Sequence, residues 1–181
     1  MVQRPAVFFD RDGVVNQSPG DGYVTILEDF VLSQGIEEAL MLCKDRGYWT
    51  VLVTSQRCVG KGLISQENLG KIHETMQRTL GEKAAFDSIQ VFTGLPGSEH
   101  LEKPKPGLVL AAAEQLQIEL NRSWLVGDAD RDILMAQSAG VGTTVRVRTH
   151  HPVATAANWT VDSISELVPL IADYLPTIEA C

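Results

Sequence analysis

The sequence has few cysteines and more acidic than basic side chains. Its three cysteines, Cys43, Cys58 and Cys181, form no close pair such as CxxC. That spacing argues against a disulfide framework and against a four-cysteine zinc site, and it fits a reducing cytoplasm. Lysine and arginine number 15 against 23 acids, giving a formal net charge of −8 and an isoelectric point of about 4.9. Such an acidic chain is a poor non-specific partner for nucleic acid or an anionic membrane.

Long apolar runs are also missing. No stretch approaches the roughly 18 apolar residues that a membrane-spanning helix needs. The first residues, MVQRPAVFFDRDG, contain no apolar run of signal-peptide length. We therefore expect a cytoplasmic protein. The length favours one domain over residues 1–181, present as a monomer or small homo-oligomer.

Short apolar runs alternate with segments of helical periodicity. The runs predict buried strands at 6–9, 49–55, 88–94, 123–128 and 143–149. The periodic segments predict helices at 35–47, 65–82, 106–118, 132–140 and 163–175, the last interrupted or bent near Pro169. This alternation is typical of a parallel sheet covered on both faces. The predicted fold class is α/β, with a doubly wound, mainly parallel, Rossmann-like sheet and no large cap domain. The unassigned stretch 13–34 is a candidate flap.

Polar side chains follow four of the predicted strands at their carboxyl ends. In chain order they are Asp10 and Asp12, Thr54 and Ser55, Lys103, and Asp128 followed by Asp130 and Asp132. Ligands of open α/β sheets bind beyond the carboxyl ends of the strands. We therefore expect these side chains to share one site.

This set of residue types suits phosphoryl transfer. One carboxylate of the Asp10 and Asp12 pair can attack phosphorus while the other moves a proton. Several carboxylates favour Mg²⁺, whose charge would offset repulsion between acids and phosphate. Lys103 can stabilise charge on the transferring group, and the Thr54 hydroxyl can hold phosphate oxygens. Taken singly, each residue has an ordinary interpretation as a turn, a helix cap or a loop lysine. Their convergence is what indicates a site.

Four motifs resemble those of the haloacid dehalogenase (HAD) superfamily. They are FFDRDGVVN, VLVTSQ, KPKPG and WLVGDADRD, the last of the form GDxxxD, and the resemblance covers roughly the whole chain. Within the superfamily, Asn16 and GYV at 22–24 add a resemblance to subfamily IIIA, the group of heptose-bisphosphate and histidinol-phosphate phosphatases. The resemblance implies a HAD-type phosphatase. Such an enzyme is a magnesium-dependent phosphomonoester hydrolase acting on a sugar phosphate or a histidinol-phosphate-like metabolite through an aspartyl phosphate.

The resemblance also implies roles for individual residues. Asp10 would be the nucleophile and Asp12 the general acid and base. The remaining implied catalytic residues are Thr54, which would hold the transferring phosphate, and Lys103, which would stabilise its charge. The implied magnesium ligands are Asp10, Asp12 through its backbone carbonyl, and Asp128, with Asp132 orienting the site from behind. The candidate substrate-binding residues are Thr54, Ser55, Lys61 and Glu102.

Some positions depart from the pattern of that group. Ser55 stands where Asn is usual, Glu102 where Arg is frequent, and Ala129 where Lys is frequent. The zinc loop of close relatives corresponds here to LPGSEHLE (95–102), which has one His and no Cys, so we expect no structural zinc. Glutamate in place of arginine reverses a charge and removes a bidentate phosphate contact. We therefore expect a monophosphate with a neutral or cationic far end to be a better substrate than heptose 1,7-bisphosphate.

Other functions are compatible with such a fold. A signalling receiver domain is disfavoured because the Thr and the GDxxxD motif follow the second and fourth strands. A phosphate-binding regulatory or scaffold protein stays an alternative, although Asp10, Asp12 and Asp128 are all present. A phosphomutase is a further alternative. The expected partner is a small-molecule phosphate ester, and neither nucleic acid nor a membrane is expected.

Overall fold

The computed structural model describes residues 3–94 and 99–179. Six strands form one sheet: β1 (Ala6–Phe9), β2 (Trp49–Ser55), β3 (Ser88–Phe92), β4 (Trp124–Gly127), β5 (Thr143–Val147) and β6 (Trp159–Val161). Their spatial order is β3-β2-β1-β4-β5-β6, and every neighbouring pair is parallel. The strand order reverses between β1 and β4, so the crevice for a ligand lies at the carboxyl ends of these two strands.

Helices connect the strands. They are α1 (Ile36–Asp45), α2 (Arg57–Gly60), α3 (Gln66–Ala84), α4 (Gly107–Leu116), α5 (Asp130–Ala139) and α6 (Ile164–Tyr174), with 3₁₀ turns at Leu27–Asp29, Glu99–Leu101 and Leu120–Arg122. The predicted α/β class and parallel sheet are confirmed, and the described chain has no large cap domain. The sequence missed α2, which is a single turn, and β6, which has three residues and is largely exposed. Elements this short carry no periodic signal.

The sheet is buried on both faces because successive strand residues point to opposite sides. In β1, Val7 and Phe9 join a core cluster with the apolar sides of α1, α3 and α6. Ala6 and Phe8 join a second cluster with α4 and α5. All four residues of β1 are fully buried. This central position fixes the direction in which the strand delivers the residues that follow Phe9.

Of the two expectations for Pro169, the interruption is wrong, because α6 is continuous from Ile164 to Tyr174, and a bend stays a prediction. Proline removes one backbone donor from the helix. The flanking Leu167 and Ile171 are fully buried in the core, and this packing holds the helix together across the missing bond. Among the described residues, no helix combines the length and the apolar character needed to cross a membrane.

The stretch 13–34 folds back on itself beside the carboxyl end of β1. Gln17 N–H donates to Val31 O, and Ser33 N–H donates to Val15 O, both at 2.9 Å. Val24 packs in a small apolar cluster with residues that include Cys58. Residues 18–23 form the tip of this loop and lie over the crevice. That the stretch acts as a flap stays a prediction.

Candidate active site

A buried lysine lies between two buried aspartates at the carboxyl edge of the sheet. Asp10 follows β1, and its backbone N–H donates to Val126 O on β4 at 2.9 Å. Lys103 Nζ donates to Asp10 Oδ1 at 2.6 Å and to Asp132 Oδ1 at 2.8 Å. Asp132 lies in the first turn of α5, where its Oδ2 accepts the N–H of Ala129 at 3.0 Å. The structure thus brings together three of the residues selected from the sequence.

The charges in this cluster shift one another's pKa values. Burial raises the pKa of Asp10 to about 6, with the negative charge of Asp132 adding to this effect and Lys103 opposing it. Burial acts to lower the pKa of Lys103, but the Asp10 and Asp132 carboxylates outweigh it and raise that pKa. For Asp132, burial acts to raise the pKa, but the charge of Lys103 outweighs it and lowers the pKa. Lys103 and Asp132 therefore form a permanent ion pair.

Asp128, which follows β4, is the third buried acid of this edge. Burial raises its pKa to about 8, and the negative charges of Asp10 and Asp132 add to the effect. Its Oδ2 accepts from Thr149 Oγ1 at 3.0 Å, whereas its buried Oδ1 has no hydrogen-bond partner among the described residues. Ligand oxygens of Asp10, Asp128 and Asp132 lie within 4.8 Å of one another. An unpartnered carboxylate oxygen beside two further acids fits a hard divalent cation.

Gly13 allows the backbone of the first loop to approach Asp128. Its φ is +85°, and a Cβ at this position would lie 2.3 Å from Asp128 Oδ2. Both the left-handed conformation and the close contact require glycine. The residue therefore determines how near Asp12 and its neighbours lie to the acid cluster.

Asp12 lies outside the buried cluster and has partners of its own. Its side chain is 22% exposed and accepts from the Arg11 guanidinium. Asn16 Nδ2 donates to Oδ1, and Gln56 Nε2 donates to Oδ2, both at 3.0 Å. Asp12 also lines the cavity at the mouth of the site. The two carboxylates of the DxD motif therefore differ in exposure. Asp10 is buried, and Asp12 is accessible from the cavity.

The two hydroxyls at the end of β2 have different surroundings. Thr54 is buried, and its Oγ1 accepts from Gln56 Nε2 at 2.8 Å, which leaves its hydroxyl hydrogen free to donate. Ser55 Oγ has no hydrogen-bond partner among the described residues, and Ser55 lines the cavity. Both are placed to donate to an anion at the strand ends.

The cavity at the mouth of the site has a volume of about 200 Å³. It is lined by residues 18–23 together with Asp12, Ser55, Arg57, Arg131 and His151. Its two arginines were missed in the sequence, as were Gln56 and His151. The positions of Gln56 and Arg57, directly after β2, were an available signal. The end of β5, which leads to His151, was not considered as part of the site.

The remaining predicted substrate residues lie around this cavity. Lys61 Nζ donates to the hydroxyl of Tyr23 at 3.0 Å, so it contacts the loop tip. Glu102 forms an ion pair with Arg57. Among the described residues it is Arg57, rather than Glu102, that lines the cavity. The expected absence of structural zinc falls partly on residues 95–98, which lie outside the described residues.

Comparisons with known proteins identify phosphatases that are similar to this chain. A family model described as HAD-hydrolase-like matches residues 100–167. The D-glycero-alpha-D-manno-heptose-1,7-bisphosphate 7-phosphatase of Burkholderia mallei is 35% identical over 179 residues, which cover 92% of this chain and 93% of the relative. The D-glycero-beta-D-manno-heptose-1,7-bisphosphate 7-phosphatase of Photorhabdus laumondii is 35% identical over 176 residues, or 90% and 93% of the two chains. The solved D,D-heptose 1,7-bisphosphate phosphatase from B. bronchiseptica, complexed with magnesium and phosphate, has a TM-score of 0.83 at 24% identity, covering 93% of this chain and 98% of its own.

Replacing Gly13 by alanine should displace Asp128. The change Gly13→Ala combines left-handed strain with a clash against Asp128 Oδ2, whereas Gly62→Ala, at φ +70° with nothing within 4 Å, imposes strain alone. We expect Gly13→Ala to lower the free energy of unfolding by about 1–3 kcal/mol more than Gly62→Ala, as for overpacked sites. Urea denaturation of both variants measures the difference, and equal losses would show that the contact with Asp128 is unimportant.

The metal-free protein should lose stability as the pH rises from about 6.5 to about 8. The folded pKa of Asp128 is about 8, whereas an unfolded aspartate has a pKa of about 3.9. The folded state therefore holds a proton that the unfolded state has released, and its stability falls with rising pH until that proton leaves near pH 8. We expect a loss of about 1–2 kcal/mol across this window.

This pH effect is measured by urea denaturation in the presence of EDTA. The pKa shifts of Asp10 and His73 act mainly below this window. The folded pKa of Asp10 is about 6, and His73 affects stability between its folded pKa of about 4 and its unfolded pKa of about 6.5. The variant Asp128→Asn should show a flat profile across the window. A slope that persists in Asp128→Asn would assign the effect to another group.

Proposed function

The chain belongs to the haloacid dehalogenase-like (HAD-like) hydrolase family and is a phosphatase, and we propose that it cleaves the phosphate monoester of a small sugar with Asp10 as the nucleophile. The observation that carries this proposal is the buried cluster at the carboxyl edge. There Lys103 Nζ lies 2.6 Å from Asp10 Oδ1, beside the unpartnered Oδ1 of Asp128. A nucleophilic carboxylate, a fixed cation and a free oxygen ligand are the parts that phosphoryl transfer to an acid requires.

The family uses a divalent metal, and Mg²⁺ is the ion that the oxygen donors favour. The carboxylates of Asp10 and Asp128 would hold it, together with the backbone carbonyl of Asp12. Asp132 is not a ligand in this proposal, because its two oxygens already accept from Lys103 and Ala129. When bound, the ion supplies positive charge that offsets the repulsion between the phosphate and the acids.

In the first step, an Asp10 oxygen attacks phosphorus and the bond from phosphorus to the sugar oxygen breaks. Asp12, the accessible acid at the cavity, gives its proton to the leaving oxygen. Lys103 offsets the charge on Asp10 and on the transferring group. Thr54 donates its free hydroxyl hydrogen to a phosphate oxygen, and Ser55 can do the same from the cavity wall.

In the second step, water attacks the aspartyl phosphate. Asp12, now ionised, removes a proton from this water, and the acyl phosphate bond of Asp10 breaks. The products are inorganic phosphate and the original Asp10 carboxylate, and Asp12 holds the proton needed for the next turnover. The exposure of Asp12 and the burial of Asp10 fit this division of roles.

Replacing the nucleophile should abolish turnover. Asp10→Asn is nearly isosteric but cannot form the aspartyl phosphate, so we expect kcat to fall by at least about a thousandfold. Asp45→Asn, an exposed change at the end of α1, should keep wild-type activity. Phosphate release from a sugar monophosphate with Mg²⁺ measures both variants. More than a tenth of wild-type activity in Asp10→Asn would eliminate Asp10 as the nucleophile.

EDTA should stop phosphate release by the wild type, and added Mg²⁺ should restore it where Zn²⁺ does not.

The far end of the substrate meets a different set of charges. The charge of Glu102 is taken up by its ion pair with Arg57, so the sequence argument that Glu102 repels a second phosphate loses its premise. Arg131 also lines the cavity, and no acid among the described residues lies within ion-pair distance of its guanidinium. An exposed arginine without an ion-pair partner at a cavity wall is suited to bind an anion.

We therefore propose that the sugar carries a second anionic group bound by Arg131. The relatives are named for heptose 1,7-bisphosphate, which has such a group. This proposal replaces the expectation, made from Glu102 and Ala129, that a monophosphate is the better substrate. The cation missing at position 129 is supplied two residues later, on the first turn of α5.

Removal of Arg131 should lower the preference for a bisphosphate. The wild type should have a higher kcat/KM for heptose 1,7-bisphosphate than for a heptose monophosphate. Arg131→Ala should lower the bisphosphate value by about 10- to 100-fold, the worth of one charged hydrogen bond, and leave the monophosphate value within about threefold. Arg122→Ala, which removes an arginine paired with Glu119 elsewhere on the surface, is the control. A wild type that prefers the monophosphate, or equal losses for both substrates, would contradict the second-anion assignment.

A further inference from the structure

Arg11, the middle residue of the DRD sequence, is a fully buried arginine. Among the described residues, its guanidinium forms an ion pair only with Asp12. Nε and Nη2 donate to Asp12 Oδ1 at 3.1 and 3.0 Å, and Nη2 also reaches Oδ2 at 3.2 Å. A buried arginine requires acceptors for its N–H groups, because a buried donor left without a hydrogen bond costs about 1–3 kcal/mol. Movement of the Asp12 carboxylate away from this position would therefore be costly.

The guanidinium of Arg11 also forms a hydrogen bond with His73, through a nitrogen that does not contact Asp12. The distance from Arg11 Nη1 to His73 Nε2 is 3.3 Å, and His73 is buried on α3. Burial lowers the pKa of His73 to about 4, and the adjacent Arg11 charge adds to the shift. The imidazole is therefore neutral at working pH, and its Nε2 accepts from Nη1. With Nη1 bound to His73, the other two nitrogens have one orientation left, which faces Asp12.

The backbone around Arg11 adds to this restraint. The carbonyl oxygen of Arg11 accepts from the N–H groups of residues 14–16 at 2.8–3.2 Å. Asn16 and Gln56 each donate to one oxygen of Asp12. Both carboxylate oxygens thus accept hydrogen bonds from protein donors, and Asp12 also lines the cavity.

We propose that Arg11 is a positioning residue that holds Asp12 for proton transfer, and that His73 holds Arg11. The inference rests on the proposed role of Asp12 as general acid and base. Arg11 and His73 do not touch the substrate in this scheme. They act through the orientation of one carboxylate, and a proton donor that is misplaced by a fraction of an ångström loses much of its effect.

The leaving group distinguishes positioning from a purely structural role. A sugar alkoxide needs the proton of Asp12 as it departs, whereas p-nitrophenolate leaves unaided. The kcat/KM value reports the step that forms the aspartyl phosphate. The measured quantity is therefore the ratio of kcat/KM for a sugar phosphate to kcat/KM for p-nitrophenyl phosphate, compared between wild type and variants.

The variant His73→Leu removes the acceptor, and His73→Gln keeps one. Gln77→Leu is the matched control, because Gln77 lies one turn along α3 and bonds the backbone of Phe86 without contacting Arg11. We expect the ratio to fall by about tenfold in His73→Leu, part of the full effect of a general acid. It should return to within about threefold of wild type in His73→Gln and stay unchanged in Gln77→Leu. Thermal unfolding of each variant confirms that it is folded.

Arg11→Lys provides the second test, since lysine keeps the charge and loses the fork. It should lower the ratio at least as much as His73→Leu. A ratio that stays at the wild-type value in folded His73→Leu, or that falls equally in Gln77→Leu, would overturn the inference. A wild type that releases no phosphate from either substrate would instead refute the proposed function, so the two failures are distinguishable.

Discussion

The ion pairs of Lys103 are the interaction on which the rest of the site depends. This lysine is buried between Asp10 and Asp132, while Asp128 lies within reach of both acids. Three ionised carboxylates and one ammonium leave two negative charges, which is the charge that a divalent cation cancels. Without the cation, burial and mutual repulsion raise the pKa of Asp10 to about 6 and that of Asp128 to about 8. The imbalance is thus a property of the folded chain, and it makes this edge suited to bind a divalent cation beside the lysine.

A second charge centre, formed by Asp12 and Arg11, lies next to Asp10 in the same loop. Asp12 is held by a guanidinium rather than an ammonium, and it is partly exposed where Asp10 is buried. Two carboxylates two residues apart therefore experience unlike environments, and environment is what allows like groups to take different chemical roles. Gly13 keeps the two centres close, because any side chain there would meet Asp128. The proposed nucleophile Asp10 and the proposed proton carrier Asp12 are therefore close in the chain, but each is paired with a different cation. Lys103 pairs with Asp10, and Arg11 pairs with Asp12.

The sequence predicted the fold and the buried acids well for a common reason. Apolar strands and amphipathic helices carry strong periodic signals, and residues directly after such strands must lie at one edge of a parallel sheet. Asp10 and Asp128 were found in this way, and Lys103 was found in the loop that follows β3. The signal fails for α2 and β6, which are too short. The helix α6 was predicted, but the interruption expected at Pro169 does not occur, because core packing holds the helix together. The signal also fails for Arg11 and His73, because nothing in the chain relates a helix residue to a loop residue 62 positions away.

The substrate end of the site shows why single positions are poor guides to specificity. Glu102 and Ala129 each suggest the loss of a cation when taken alone. In the folded protein, however, Glu102 forms an ion pair with Arg57, which follows the neighbouring strand β2. Arg131, in the first turn of α5, places a positive charge at the cavity wall. The positive charge that binds a phosphate group can come from any of the loops around the cavity. A guanidinium binds phosphate equally well whichever sequence position carries it. Substrate specificity therefore depends on all the charged groups that face the cavity together. These charges can be located only when the strand ends are brought together, which is why the acid cluster could be predicted from the sequence and the proposed site for a second anion could not.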